Sequence, residues 1–151
     1  MERHPNRRSI LKSQRDFRNY LAGAALAFGV VLLVTQVLQL MYGGLPLAER
    51  EAIYSLIMTV YLASNLVGGF LGGYLVARVR RADYIITGTV TAVLAYVFEF
   101  TYNLIVEATL TDIYSLLSLM IGAIVGVMFL RVKLERMPAL RKTEEHKPVP
   151  E

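Results

Sequence analysis

The chain has 151 residues, of which 55% are hydrophobic and 19% charged, whereas soluble domains sit near ~45–50% and ~25%. It has no cysteine, so a disulfide framework, a thiolate metal site and a cysteine nucleophile are all excluded. Its two histidines, His4 and His146, lie in polar terminal stretches, which removes the commonest general base and metal ligand from the apolar body.

In chain order, residues 1–19 form a basic segment interrupted by Ile10, Leu11 and Phe17. It reads either as a solvated lead-in or as a segment lying on an anionic leaflet. Crossing a ~30 Å hydrocarbon core takes about 20 apolar residues at ~1.5 Å each. Four stretches qualify: 20–41, 53–77, 84–106 and the shorter 113–130. The first is too long for the apolar part of a secretory signal and three more follow it, so it is expected to stay as a helix. The charged tail 131–151 is expected to be disordered after Pro138. The expected fold is therefore an all-α membrane protein, with a four-helix transmembrane domain over 20–130.

Orientation follows from the 16 Lys and Arg, because cytoplasmic flanks collect positive charge. Six precede the first helix, three (Arg78, Arg80, Arg81) separate the second from the third, and six follow the fourth, leaving only Arg50 for the other side. Both termini are expected in the cytoplasm and the protein in the cell membrane as a multi-pass chain. Tyr20, Tyr42, Tyr54, Tyr84, Tyr102 and Tyr114 fall near the span ends, as interfacial belts do. The net charge of +4 is accounted for by topology. The expected partners are thus the lipid bilayer and anionic lipids at the cytoplasmic face, with no nucleic acid.

The chain resembles itself. Tyr61-x3-Asn65-Leu66-x2-Gly69-x3-Gly73-x4-Arg78-Val79-Arg80 matches Tyr114-x3-Ser118-Leu119-x2-Gly122-x3-Gly126-x4-Arg131-Val132-Lys133 without a gap, at an offset of 53 residues. The first and third helices align less well at an offset of 65, through Leu21-Ala22-Gly23 and Ile86-Thr87-Gly88. Two parallel-repeat hairpins related by an axis along the membrane normal explain this. The alternative is that glycine-spaced helices ending in arginine look alike by chance.

Helices in lipid associate by close packing at small residues. The second helix carries two such ridges, Ser64-Gly68-Gly72 and Asn65-Gly69-Gly73-Ala77. The fourth has Ser118, Gly122 and Gly126, the first Ala22, Ala25 and Gly29, and the third Gly88, Ala92 and Ala95. Nearly all lie in the cytoplasmic half, while tyrosines and phenylalanines crowd the outer half. A bundle pinched at the cytoplasmic end and splayed towards the outside is the result.

Few polar residues lie within the spans, and at ~100° per residue each falls on its helix's small-residue face. Gln36, Asn65, Glu99 and Ser118 form this set, and Asn103 extends it one turn beyond Glu99. Glu99 stands out, because an ionisable group in a span costs about 2.5–3.5 kcal/mol or more and no basic residue is available within any span to pair with it. It reads either as a neutral acid bonded to Gln36, Asn65 or a backbone carbonyl, or as a proton or cation site. Gly68-Gly69-Phe70-Leu71-Gly72-Gly73 is a packing motif, since it lacks the lysine and strand-to-helix junction of a phosphate loop. No nucleophile–base pair exists within the spans, so no catalytic residues, metal site or cofactor are expected.

The run from Asn65 to Arg78, with its glycine-rich helix closing on arginine and Gly88 in the next helix, resembles small prokaryotic four-helix membrane proteins of unknown function. That resemblance implies a membrane bundle and no activity. Two functions compete. One is a non-enzymatic packing or accessory subunit of a homo-oligomer or a larger membrane complex. The other is a small oligomeric transporter or channel with an outward polar pocket around Glu99.

Overall fold

The computed structural model describes residues 7–80, 83–107 and 112–145. These form α1 (Arg7–Gly43), α2 (Leu47–Arg80), α3 (Tyr84–Tyr102), which continues as a π-helical turn (Asn103–Glu107), and α4 (Ile113–Glu145). Each helix contains a segment long and apolar enough to cross a membrane: Asp16–Gly43, Glu51–Arg80, Tyr84–Val106 and Ile113–Arg136. The chain is a four-helix transmembrane bundle. Its packing is the inverse of a soluble core. Leu33, Leu40 and Ile105 project outward, whereas Ala24, Ala27, Ala92, Ala95, Ala123 and Thr91 are buried, because in lipid close packing rather than hydrophobicity holds helices together.

The helices outrun the spans. The 37 residues of α1 make a rod roughly 55 Å long, so the lead-in is continuous with the first span. The disorder expected after Pro138 is corrected by helix up to Glu145. Leu, Glu, Arg and Lys dominate there and lose little side-chain freedom in a helix. Pro138 deletes one backbone hydrogen bond without ending the helix. Residues 146–151 lie outside the described residues.

The glycine ridges of α2 serve two neighbours. A Cβ at Gly68 would stand 2.6 Å from the Ala27 carbonyl oxygen, and one at Gly72 2.6 Å from that of Gly23, so α1 and α2 pack antiparallel at backbone contact. The second ridge meets α4: Cβ atoms at Gly69 and Gly73 would strike the carbonyls of Leu119 and Ala123. In return, Cβ atoms at Gly122 and Gly126 would strike the carbonyls of Leu66 and Phe70. Adding 53 to each α2 residue and subtracting 53 from its α4 partner turns the first set of contacts into the second, so α2 and α4 run parallel and meet through reciprocal faces. Gly88 of α3 sits against α4, where a Cβ would lie 3.2 Å from the Ile124 Cα.

One expected contact is corrected. Gly29 has nothing within 4 Å of where its Cβ would be, and Ala22 and Ala25 are exposed. α1 packs instead through Gly23, Ala24, Ala27 and Val31. Gly29 lies roughly 120° around the helix from Gly23, so both cannot face α2, and the antiparallel register sets Gly23 against Gly72. At the opposite end from the α1–α2 turn, an arginine of each hairpin's second helix covers a tyrosine of its first. Arg80 lies 4.8 Å from the Tyr20 ring centroid and Arg131 5.9 Å from that of Tyr84. Arg80 also donates to the Tyr20 hydroxyl and pairs with Asp16 at 3.5 Å. Tyr20 is therefore buried beneath an arginine rather than lying in a lipid belt.

Gly69→Leu and Gly73→Leu should each lower stability by at least about 1–3 kcal/mol through overpacking. Gly29→Leu and Val67→Leu, on open and exposed positions, should melt like wild type in mild detergent. Equal melting of all four variants would refute this packing.

Candidate functional site

The buried stripe of α3 runs Thr87, Gly88, Thr91, Ala92, Ala95, Glu99, so helical periodicity alone carries the Glu99 carboxyl into the bundle. Only 3% of Glu99 is exposed. The Tyr61 hydroxyl of α2 donates to its Oε1, and the Ser115 hydroxyl of α4 donates to Oε2 at 2.7 Å. The Ser115 and Asn65 side chains also border the Tyr61 hydroxyl. Among the described residues no basic side chain pairs with Glu99.

Asn65 is fully buried. Its Nδ2 donates to the Tyr61 carbonyl oxygen at 3.2 Å, tying the turn that carries Tyr61, while its Oδ1 is buried with no hydrogen-bond partner. Beside the carboxyl lies a cavity of about 110 Å³ between α1, α2 and α3, whose lining includes Phe28, Thr35, Tyr61, Glu99, Tyr102 and Asn103. Gln36 is exposed but donates to the Tyr102 hydroxyl at 3.0 Å, and the Phe28 and Tyr102 rings are tilted by 59° with centroids 5.8 Å apart. At the cavity's edge α3 widens into its π turn, where the Asn103 N–H is shared between the Glu99 and Phe100 carbonyls. Such turns frequently mark functional sites.

Of the polar residues singled out in the sequence, Glu99 and Asn103 line the cavity. Gln36 acts at one remove through Tyr102, and Asn65 supports Tyr61. Ser118 is half-buried and makes no bond to Glu99; Ser115 takes that place. The α3–α4 register explains the correction. Gly88 lies against Ala123 and Ile124, so in an antiparallel pair Glu99, eleven residues further along α3, comes level with the start of α4. The carboxyl's partners are hydroxyls rather than Gln36 or an amide. Tyr61 was legible as the residue one turn before Asn65 on the Asn65-Gly69-Gly73 ridge.

No group of three or more acidic or histidine side chains is placed to hold a metal among the described residues. No family model, curated protein or solved structure matches the chain. The site's chemistry is that of a buried carboxyl held by two hydroxyls. A hydroxyl donates to a carboxylate and accepts from a carboxylic acid, so the same cage fits both protonation states.

Leaving the carboxyl short of one bond should cost about 1–3 kcal/mol in Tyr61→Phe and in Ser115→Ala. Ser118→Ala should stay within about 0.5 kcal/mol of wild type. Denaturation in mixed micelles reads this directly, and a Ser118 variant as damaging as the Ser115 variant would contradict the assignment.

Proposed function

We propose that the chain is a small cation-binding membrane protein, the unit of an oligomeric transporter or channel, with Glu99 as its ion or proton site. The observation that carries this reading is a buried carboxyl without a basic partner that nonetheless lines a cavity. An intramembrane carboxyl is costly and marks solute or proton pathways. The accessory-subunit reading drew on the glycine faces, and those of α2, α3 and α4 are occupied within the chain. Weight therefore moves to the pocket.

The finer architecture belongs to this proposal. The reciprocal contacts of Gly69 with Leu119 and of Gly122 with Leu66 support two repeated hairpins about an axis normal to the membrane. The positive charge at residues 78–81 and beyond 131 supports a cytoplasmic position for that end of the bundle. Glu99 then lies in the outer half, and its cavity faces the cell exterior. Four helices enclose little volume, so transport requires several copies. The exposed apolar faces of the spans leave room for such neighbours in a cell membrane.

Glu99→Gln keeps the shape and hydrogen bonding of the side chain and removes its ionisation. In proteoliposomes the variant should fold normally and lose the cation- or proton-dependent flux of wild type. Wild-type vesicles showing neither flux nor cation-dependent stabilisation would overturn the reading. Tags at Met1 and Glu151 should both report the cytoplasm, and an external reagent reaching either in intact cells would reverse the orientation.

A further inference from the structure

The Glu99 cavity has a neighbour. A second cavity of about 150 Å³ lies between α1 and α2 nearer their connecting turn, bounded by Leu38, Tyr54, Ile57 and Met58 together with Thr35 and Tyr61. Thr35 and Tyr61 line both cavities, so the two chambers adjoin across those residues. The first presents a buried carboxyl beside the rings of Phe28, Tyr61 and Tyr102. The second presents aliphatic and aromatic side chains to its interior.

The pair of chambers discriminates among cations. Calcium takes six to eight oxygen ligands and magnesium a near-ideal octahedron, whereas here a single carboxyl, with the neutral oxygens of Thr35 and Asn103, shares its wall with the side chains of Phe28, Tyr61 and Tyr102. Ring faces attract an ammonium group through their quadrupole, and do so more strongly when the site is desolvated. The Glu99 carboxylate supplies the opposite charge, and the Thr35 hydroxyl is an available acceptor for a second N–H. A bare ammonium ion would leave the apolar chamber unused. An alkyl or aryl tail would fill it.

The geometry points to a protonated primary amine with a short apolar tail as the ligand, its ammonium at Glu99 and its tail between Ile57 and Met58. This inference rests on the cation-site reading of Glu99 and names the class of solute that the site takes. The structure favours a free amine over the aminoethyl headgroup of a phospholipid. The chamber beyond Thr35 and Tyr61 is apolar, whereas a headgroup would have to place its phosphate there.

The test is calorimetric titration of the full chain in phosphatidylglycerol nanodiscs with methyl-, butyl- and hexylammonium chloride, and with 1-butanol and 1-hexanol as uncharged matches. Affinity should rise about fourfold per methylene buried from methyl- to butylammonium and level off once the chamber is full. The alkanols should show no saturable binding. Glu99→Gln should abolish amine binding at every length. Ile57→Trp, which narrows only the apolar chamber, should keep methylammonium within twofold of wild type and flatten the rise. Glu99-dependent ammonium binding with no dependence on tail length would overturn the inference and leave the cation reading standing. Absence of Glu99-dependent binding for every amine and for sodium and potassium would overturn both. Alkanols matching the amines, or amine binding lost when phosphatidylethanolamine is added to the nanodisc, would overturn the free-amine assignment.

Discussion

With no cysteine to cross-link it and no hydrophobic drive between helices in lipid, this bundle depends on how closely the backbone of α2 approaches its neighbours. Two adjacent glycine ridges let it meet α1 and α4 together, with carbonyl oxygens of both helices aimed at the positions where side chains would begin. The glycine hydrogens occupy those positions. Each such approach sets a Cα–H opposite a carbonyl, a contact worth about 0.5–1 kcal/mol, and brings whole backbones into dispersion range. α4 answers with the same motif displaced by 53 residues, so one kind of contact is used twice. A leucine on the first ridge would force α1 away from α2, and one on the second would force α4 away.

The same constraint creates the cavities. Glycine is confined to the second half of α2, and its first half carries Tyr54, Ile57, Met58 and Tyr61. These side chains hold α1 and α2 apart while the glycines hold them together further along. The space left between the helices on the side of their connecting turn is the pair of chambers. α3 contributes its carboxyl to the first of them and then loosens into a π turn. Pocket and pinch are two ends of one gradient in side-chain size.

Much of this was legible in the sequence. Span number follows from apolar length and the α2 face from glycine spacing. The inward direction of Glu99 follows from its distance of four residues from Ala95 and seven from Ala92, because each depends on one helix at a time. What required the structure is relational. Gly29 and Gly23 are equally small, and only the register between α1 and α2 chooses Gly23. Ser118 and Ser115 are equally polar, and only the register between α3 and α4 selects Ser115. Tyr61 and Tyr114 occupy matching places in the two aligned sequence segments, yet one holds the carboxyl and the other is exposed. Glu99 meets the tyrosine of the first segment and, in the second, the serine that follows the tyrosine.

The choice of hydroxyls around Glu99 follows from what a permanent partner would do. An arginine or lysine there would hold the carboxylate in a permanent ion pair, which would be incompatible with the proposed cation site. Tyr61 and Ser115 donate to the carboxylate without cancelling its charge, and as hydroxyls they can equally accept from the acid form. Asn65, whose amide N–H ties the turn that carries Tyr61, also buries a carbonyl oxygen with no hydrogen-bond partner. When Glu99 carries the proton and Tyr61 accepts from it, the tyrosine's own proton is released to seek another acceptor. The same two hydroxyls can therefore meet either protonation state of Glu99.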